Sequence, residues 1–259
     1  MESEKNLYFC RLNQDEMYAL YKKEISNFLT SLMGIMVIVV FLLITGLFLW
    51  VFQNDFNLLN FGYANMDSLF ILAPWVFLFL VPAVTMRSFA EENRTGTIEM
   101  LLTKPLSDWQ IIMAKFLAGV TLVLLALIPT FVYYFSIYRL GLPMGNLDSG
   151  GIWGSYIGLF LLSASFVSIG VFCSSLTNNQ ILAFIITVFL CGFLMMGFEF
   201  IYSLSLFGPV DLFIQQLGMS AHYSSLSRGV VDTRDVLYFL SVIIIFLSAT
   251  KLVLASRKW

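Results

Sequence analysis

Arg87, Glu91, Glu92, Arg94, Glu99, Lys104 and Asp108 crowd into about two dozen residues between two long apolar runs, and the run before them, Leu69 to Met86, carries no charge. Within this insert, Thr95-Gly96-Thr97 reads as a break, after which Thr97 can cap the short helix Ile98-Glu99-Met100-Leu101-Leu102. Ile98, Leu101 and Leu102 then share one side. Lys104-Pro105 ends the helix, and Ser107 with Gln110 makes a capping box for the apolar run that follows. The chemistry of such a segment is recognition: an apolar knob supplies contact area in the groove of a soluble partner, and the flanking charges fix register. The alternative from the residues alone is a helix resting on a lipid surface.

Catalytic constellations are missing elsewhere. The chain has one histidine, His222, and no Gly-Lys dipeptide, so GxxxxGK[ST] is absent and any phosphate-cradling loop must come from another polypeptide. There is no GxSxG and no HExxH. Cys10, Cys173 and Cys191 lack CxxC spacing and read as small buried hydrophobes. The expectation is a non-enzyme that carries no cofactor and no metal. Glu199 is the one acid inside an apolar run, which makes it a functional candidate, although it sits about one turn from the boundary, where snorkelling relieves its charge. Gly154 and Gly158 form a GxxxG pair, and with Ser165 they give the fourth run a small, polar face for helix packing or for a small-molecule path.

The elements that position these residues follow from composition. The chain of 259 residues is 59% hydrophobic and only 12% charged, against about 25% charge in a soluble domain. Six runs reach the roughly 20 residues that cross a hydrocarbon layer; they lie near 30–52, 69–90, 109–138, 152–173, 180–204 and 236–254. They lack the alternation of barrel strands, so the fold class is an all-α polytopic membrane protein in a single membrane domain, 30–259, preceded by residues 1–29. Placing the N-terminus in the cytoplasm puts eleven of the fourteen bases inside and only Arg139, Arg228 and Arg234 outside. That asymmetry predicts both termini and the charged insert on the cytoplasmic side. The net charge of −2 argues against nucleic acid as a partner.

Before the first run, Asn13 can cap a helix on which Met17, Leu20, Tyr21, Ile25 and Phe28 share a face, while Lys22, Lys23 and Asn27 turn away. It reads either as an amphipathic helix on the inner membrane surface or as an extension of the first span. Pro74, Pro82 and Pro129 predict bends in the second and third spans. The 205–235 connection is too long for a turn, and Leu212, Phe213 and Leu217 can seat a short helix in the interface. His222 alone makes no metal site and reads as a solvated or interfacial side chain.

The segment SFAEENRTGTIEMLLTKPLSDWQIIMAKF closely resembles the first cytoplasmic loop of type-2 ABC exporter permeases, with its acidic pair, Gly-Thr turn, E-x-L-L helix and Pro-Leu step into the next span. KEISNFLTSLMGIMVIVVFLLITGLFLWVF, SSLTNNQILAF and SSLSRGVVDTRDVLYFL resemble the same family, and FLLITGLFLWVFQNDFNLL is most similar to its gliding-motility-associated branch. The resemblance implies a six-span permease half in the bacterial inner membrane that pairs with a second permease chain, identical or not. ATP and Mg would be bound by a separate ABC ATPase gripping the coupling helix, with Glu91, Glu92, Arg94, Thr97, Ile98, Glu99, Leu101 and Leu102 at that interface. It further implies a re-entrant outer hairpin between spans five and six, with Leu212 to Arg228 as a lid, and, in the gliding branch, an accessory membrane protein. Two other readings share the residues: a non-transporting anchor or force-transmitting subunit of the same complex, and an ion-coupled carrier, for which only Glu199 offers an intramembrane charge.

Overall fold

The computed structural model describes residues 2–60, 64–102, 106–205, 208–229 and 231–256, with side chains from residue 16 onward except 101, 102 and 209. The described residues form helices and turns, without a strand. Six helical stretches are long and apolar enough to cross a membrane: Leu32–Val51, Asp67–Thr95, Asp108–Leu140, Ser149–Leu176, Gln180–Ser203 and Thr233–Ser256. Each overlaps one of the six apolar runs within a few residues, as continuous hydrophobicity of that length requires.

Helix α1, Glu2–Thr30, starts well before Asn13, so the capping signal there does not mark a helix start. Its face behaves as the periodicity predicts from Met17 onward. Leu20 is buried, Met17, Tyr21, Ile25 and Phe28 are half-buried, and Lys22, Lys23 and Asn27 are exposed. The helix is not a straight extension of the first span. Ser31 takes an extended conformation, caps Gly34 N–H and starts α2, Leu32–Gly46. A Cβ on Gly34 would run into the Phe28 carbonyl oxygen, so glycine is what lets the chain turn so tightly there. The first span then continues through a π turn at Leu47–Val51.

Second comes α3, Asp67–Thr85, with Pro74 and Pro82 inside it. The charged insert folds into α4, Ala90–Thr95, and α5, Thr97–Leu102, separated by Gly96 at φ 71°, in the left-handed region that glycine enters without strain. The third span is α6, Asp108–Leu127, opened by the predicted Ser107–Gln110 capping box, followed by a 3₁₀ turn containing Pro129 and by α7, Phe131–Leu140. Span four is a single helix, α8, Ser149–Leu176. Span five is α9, Gln180–Gly192, a π turn at Phe193–Gly197 and α10, Phe198–Ser203. A Cβ on Gly197 would stand 2.6 Å from the Phe193 ring, so the glycine leaves that ring a seat against the widened turn. The connection that follows holds α11, Asp211–Gln216, and α12, Met219–Leu226, and span six is α13, Thr233–Ser256.

Span four is the core. It packs against α3, α6, α9, α12 and α13, and its most apolar window is 78% buried, against 22% for spans five and six. Two glycines permit that packing. A Cβ on Gly170 would collide with Thr85 of α3, and one on Gly119 of α6 would stand 2.8 Å from Val167. Hydrophobicity along the six spans is similar, so burial is decided by small residues rather than by greasiness.

Candidate functional site

The charged insert is fastened to the bundle on its inner side and open on the other. At the start of α4, the Phe89 and Ala90 N–H groups have no partner within the helix. The fully buried Ser174 hydroxyl, near the end of α8, accepts from both, at 2.9 and 3.0 Å, and donates to the Met86 carbonyl at 3.1 Å. Asn93 adds a longer bond from Nδ2 to the Thr177 carbonyl at 3.4 Å. Span four thus supplies the cap that the insert's own sequence lacks.

A second fastening uses charge. Lys115 of α6 is 3% exposed. Its ammonium donates to the Ser88 carbonyl at 2.7 Å, to Glu92 Oε1 at 2.8 Å and to Glu24 Oε1 of α1 at 3.1 Å. An ammonium has three hydrogens, and three acceptors stand around it. One side chain therefore ties the N-terminal helix, the insert and the third span together. Phe89 lies beneath, its ring centroid 5.0 Å from Nζ. The Glu92 Oε2 and Asn93 Oδ1 atoms are buried with no hydrogen-bond partner among the described residues.

Of the residues that the sequence assigned to a partner-facing surface, Glu91, Arg94, Thr97 and Glu99 are exposed, together with Met100 at 73%. Glu92 turns inward onto Lys115, and Ile98 is buried at 9%, where it packs α5 onto the core. The side chains of Leu101 and Leu102, and Lys104-Pro105, lie outside the described residues. The open face is therefore a charged strip with one methionine on it.

At the opposite end of the bundle the small residues of α8 have an unexpected partner. Gly154 and Gly158 face α12, not another span. A Cβ on Gly154 would stand 2.5 Å from the Leu226 carbonyl oxygen, and one on Gly158 would stand 3.1 Å from Leu226 Cβ. Ser165 is buried and returns its hydroxyl to the Leu161 carbonyl of its own helix at 3.0 Å, as Ser163 and Ser168 do to theirs. This face is occupied by packing.

His222 is not a solvated side chain. Nδ1 lies 2.7 Å from Asp235 Oδ1 at the start of α13, and Nε2 lies 2.8 Å from the Gln216 carbonyl. The ring stacks on Tyr238 with centroids 3.9 Å apart, and the Tyr238 hydroxyl donates to the Leu217 carbonyl at 2.6 Å. Tyr223 of α12 donates to the Phe70 carbonyl of α3 at 2.7 Å, and burial pushes its phenol well above the usual range, so it stays a donor. These bonds, with the Gly154 and Gly158 contacts, hold α12 on spans two, four and six, and α11 packs on α10. Leu212 and Phe213 of α11 remain exposed, at 61% and 63%.

Beside α12 an open cleft of about 470 Å³ runs between α3, span five and the 211–227 segment. Glu199 stands on its rim, exposed, and accepts a 3.0 Å hydrogen bond from Ser220.

Sequence reading missed Lys115 as a structural charge, its partner Glu24, the cap from Ser174 and the His222–Asp235 pair. Two had a signal. Lys115 lies within an apolar run, where a charge needs a partner, and Glu24 falls on the same stripe as Leu20 and Phe28 at a spacing of four. Ser174 and Asp235 had none, because their partners are far away in the chain or in a connection with no periodicity.

No curated protein matches the chain. The model of the ABC-2 family transporter protein family matches residues 58–249, from the segment before α3 to within α13. That span takes in five of the six candidate spans, the charged insert, the cleft and the α11–α12 connection. Six apolar helices, an insert anchored on one side and exposed on the other, and this match converge: the chain belongs to the ABC-2 transporter family, as a membrane-embedded permease subunit of an ABC transporter.

Proposed function

We propose that the chain is the permease half of an ATP-driven exporter of the bacterial inner membrane, with ATP and Mg bound on a separate ATPase that docks on α4 and α5. The observation that carries this is the two-sidedness of the insert: Ser174, Lys115 and Ile98 hold its inner side, whereas Glu91, Arg94, Thr97, Glu99 and Met100 are exposed on the other. A segment so anchored transmits force instead of yielding to it. Both termini and the insert lie in the cytoplasm in this reading, α1 lies along the inner leaflet with Lys22 and Lys23 near head groups, and α11 and α12 form a re-entrant outer hairpin with Leu212 and Phe213 in lipid. Two permease chains work together through the exposed apolar faces. Of the family's branches, the gliding-motility-associated one is the nearest in wording at the first span, which brings in an accessory membrane protein as a third partner.

The test is affinity purification of the permease in mild detergent, with identification of co-purifying chains. Wild type brings down an ABC ATPase, and Glu99→Lys combined with Met100→Asp loses it while the permease keeps its helical content and gel-filtration position. Stoichiometric ATPase on the double variant overturns the docking assignment, and recovery of a lone, ATP-independent transporter overturns the function.

A further inference from the structure

The cleft beside α12 has a composition that the docking face does not explain. Its lining is mixed: Phe70, Ile71 and Pro74 of α3 and Met195 of the π turn in span five are apolar, and Ser155, Gln215, Ser220 and Ser224 are polar but uncharged. Its rim carries two carboxylates, Asp67 and Glu199, and no Lys, Arg or His among the described lining residues. Among the described residues, each acid accepts from a neutral donor. Ser220 donates to Glu199 Oε2 at 3.0 Å, and Asn65 Nδ2 donates to Asp67 Oδ2 at 3.0 Å. Neither donor cancels charge. Two exposed carboxylates, with no base among the described lining residues, attract a cation and repel an anion.

A metal ion is the poorer occupant. No cluster of three His, Cys, Asp or Glu that would hold one occurs among the described residues. The apolar residues of α3 and Met195 call instead for a cation that brings its own hydrocarbon. The volume, about 470 Å³, falls within the roughly 300–1,000 Å³ of small-molecule sites. One wall is fixed in place, because Tyr223 of α12 bonds the Phe70 carbonyl.

We propose that this cleft binds an amphiphile with an amine or quaternary ammonium headgroup, the headgroup on Glu199 and Asp67 and the chain on Phe70, Ile71 and Pro74. The proposal deepens the permease reading by naming the chemical class that the exporter handles at this end, and it rests on that reading for the step from binding to transport.

The permease, purified with whatever ATPase accompanies it, is exposed to two photoreactive dodecyl probes of equal length, one ending in trimethylammonium and one in sulfonate. Crosslinked peptides are mapped by mass spectrometry. The cationic probe is expected to label peptides containing Phe70 to Pro74 or Met195, and Glu199→Gln with Asp67→Asn to reduce that labelling at least about tenfold, the weight of a lost charge-assisted contact. Equal labelling of these peptides by the sulfonate probe overturns the proposal, as does unchanged labelling in the double variant. The contrast between the probes on wild type decides the matter even if the variant fails to fold. Co-purifying ATPase is scored on the same sample: ATPase present without selective labelling sinks the cleft alone, and selective labelling without ATPase sinks the docking reading alone.

Discussion

The Lys115 ammonium stands 2.8 Å from Glu92 of the insert and 3.1 Å from Glu24 of the N-terminal helix, with 2% of its side chain exposed. It is the one charge that α1, α4 and α6 share. Replacing it by an isosteric apolar residue leaves two carboxylates facing each other across a dry gap. Lys115→Met is therefore expected to cost about 3–5 kcal/mol, the range for breaking a buried ion pair from one side. Removing all three charges, with Glu24→Gln and Glu92→Gln added, should recover most of that loss. Thermal unfolding midpoints in detergent check both, and a single variant as stable as wild type would show that the cluster is not a structural tie.

Ser174→Ala removes the hydroxyl that caps the Phe89 and Ala90 amides. Leaving buried donors unsatisfied costs about 1–3 kcal/mol. The loss is expected to be local, as faster hydrogen exchange in 89–95 with little change in α8, and ATPase recovery should fall with it. Exchange that rises uniformly over the bundle would contradict this.

Six spans, the break at Gly96 and the Ser107–Gln110 box were legible because each depends on neighbours within four residues or on plain hydrophobic length. The start of α1 was misread at Asn13 because a good capping residue marks a helix end only if the residues before it do not already continue the helix. GxxxG spacing told that a backbone would approach Gly154 and Gly158, and not that it would be that of Leu226, because the spacing is a property of one surface only. Glu92 and Ile98 sit in a helical pattern that has two sides, and which side faces the bundle is settled by Lys115 of another helix, 23 residues on. π turns left no mark of their own.

His222→Ala leaves the buried Asp235 with no partner on either oxygen, since Oδ2 already lacks one. The expected penalty is about 1–3 kcal/mol, felt where α12 meets α13. Limited proteolysis should then cut first between 208 and 229, while the six spans resist. Protection equal to wild type would mean that the Tyr238 and Tyr223 bonds suffice.

Gly170→Ala drives a methyl group into Thr85. Overpacking of this kind costs about 1–3 kcal/mol. Thr85→Ala alone loses the γ-methyl and a hydroxyl that bonds its own helix at the Val81 carbonyl, the two groups the added methyl would meet, so the pair of changes should restore most of the stability that the first one removes. A double variant no better than Gly170→Ala in unfolding midpoint would place the strain elsewhere.

Ser174 and Gly154 lie on the same unbroken helix, one under the insert and the other under Leu226. Twenty residues of helix separate them by about 30 Å. If that rod tilts by about 5° around its midpoint, each end sweeps about 1.3 Å, in opposite directions, by the same helical geometry. At Gly154 such a sweep exceeds the slack that any close-packed contact tolerates. A push on α4 at one surface of the molecule would then have to be answered by unseating α12 at the other, with no element in between needing to change its own shape.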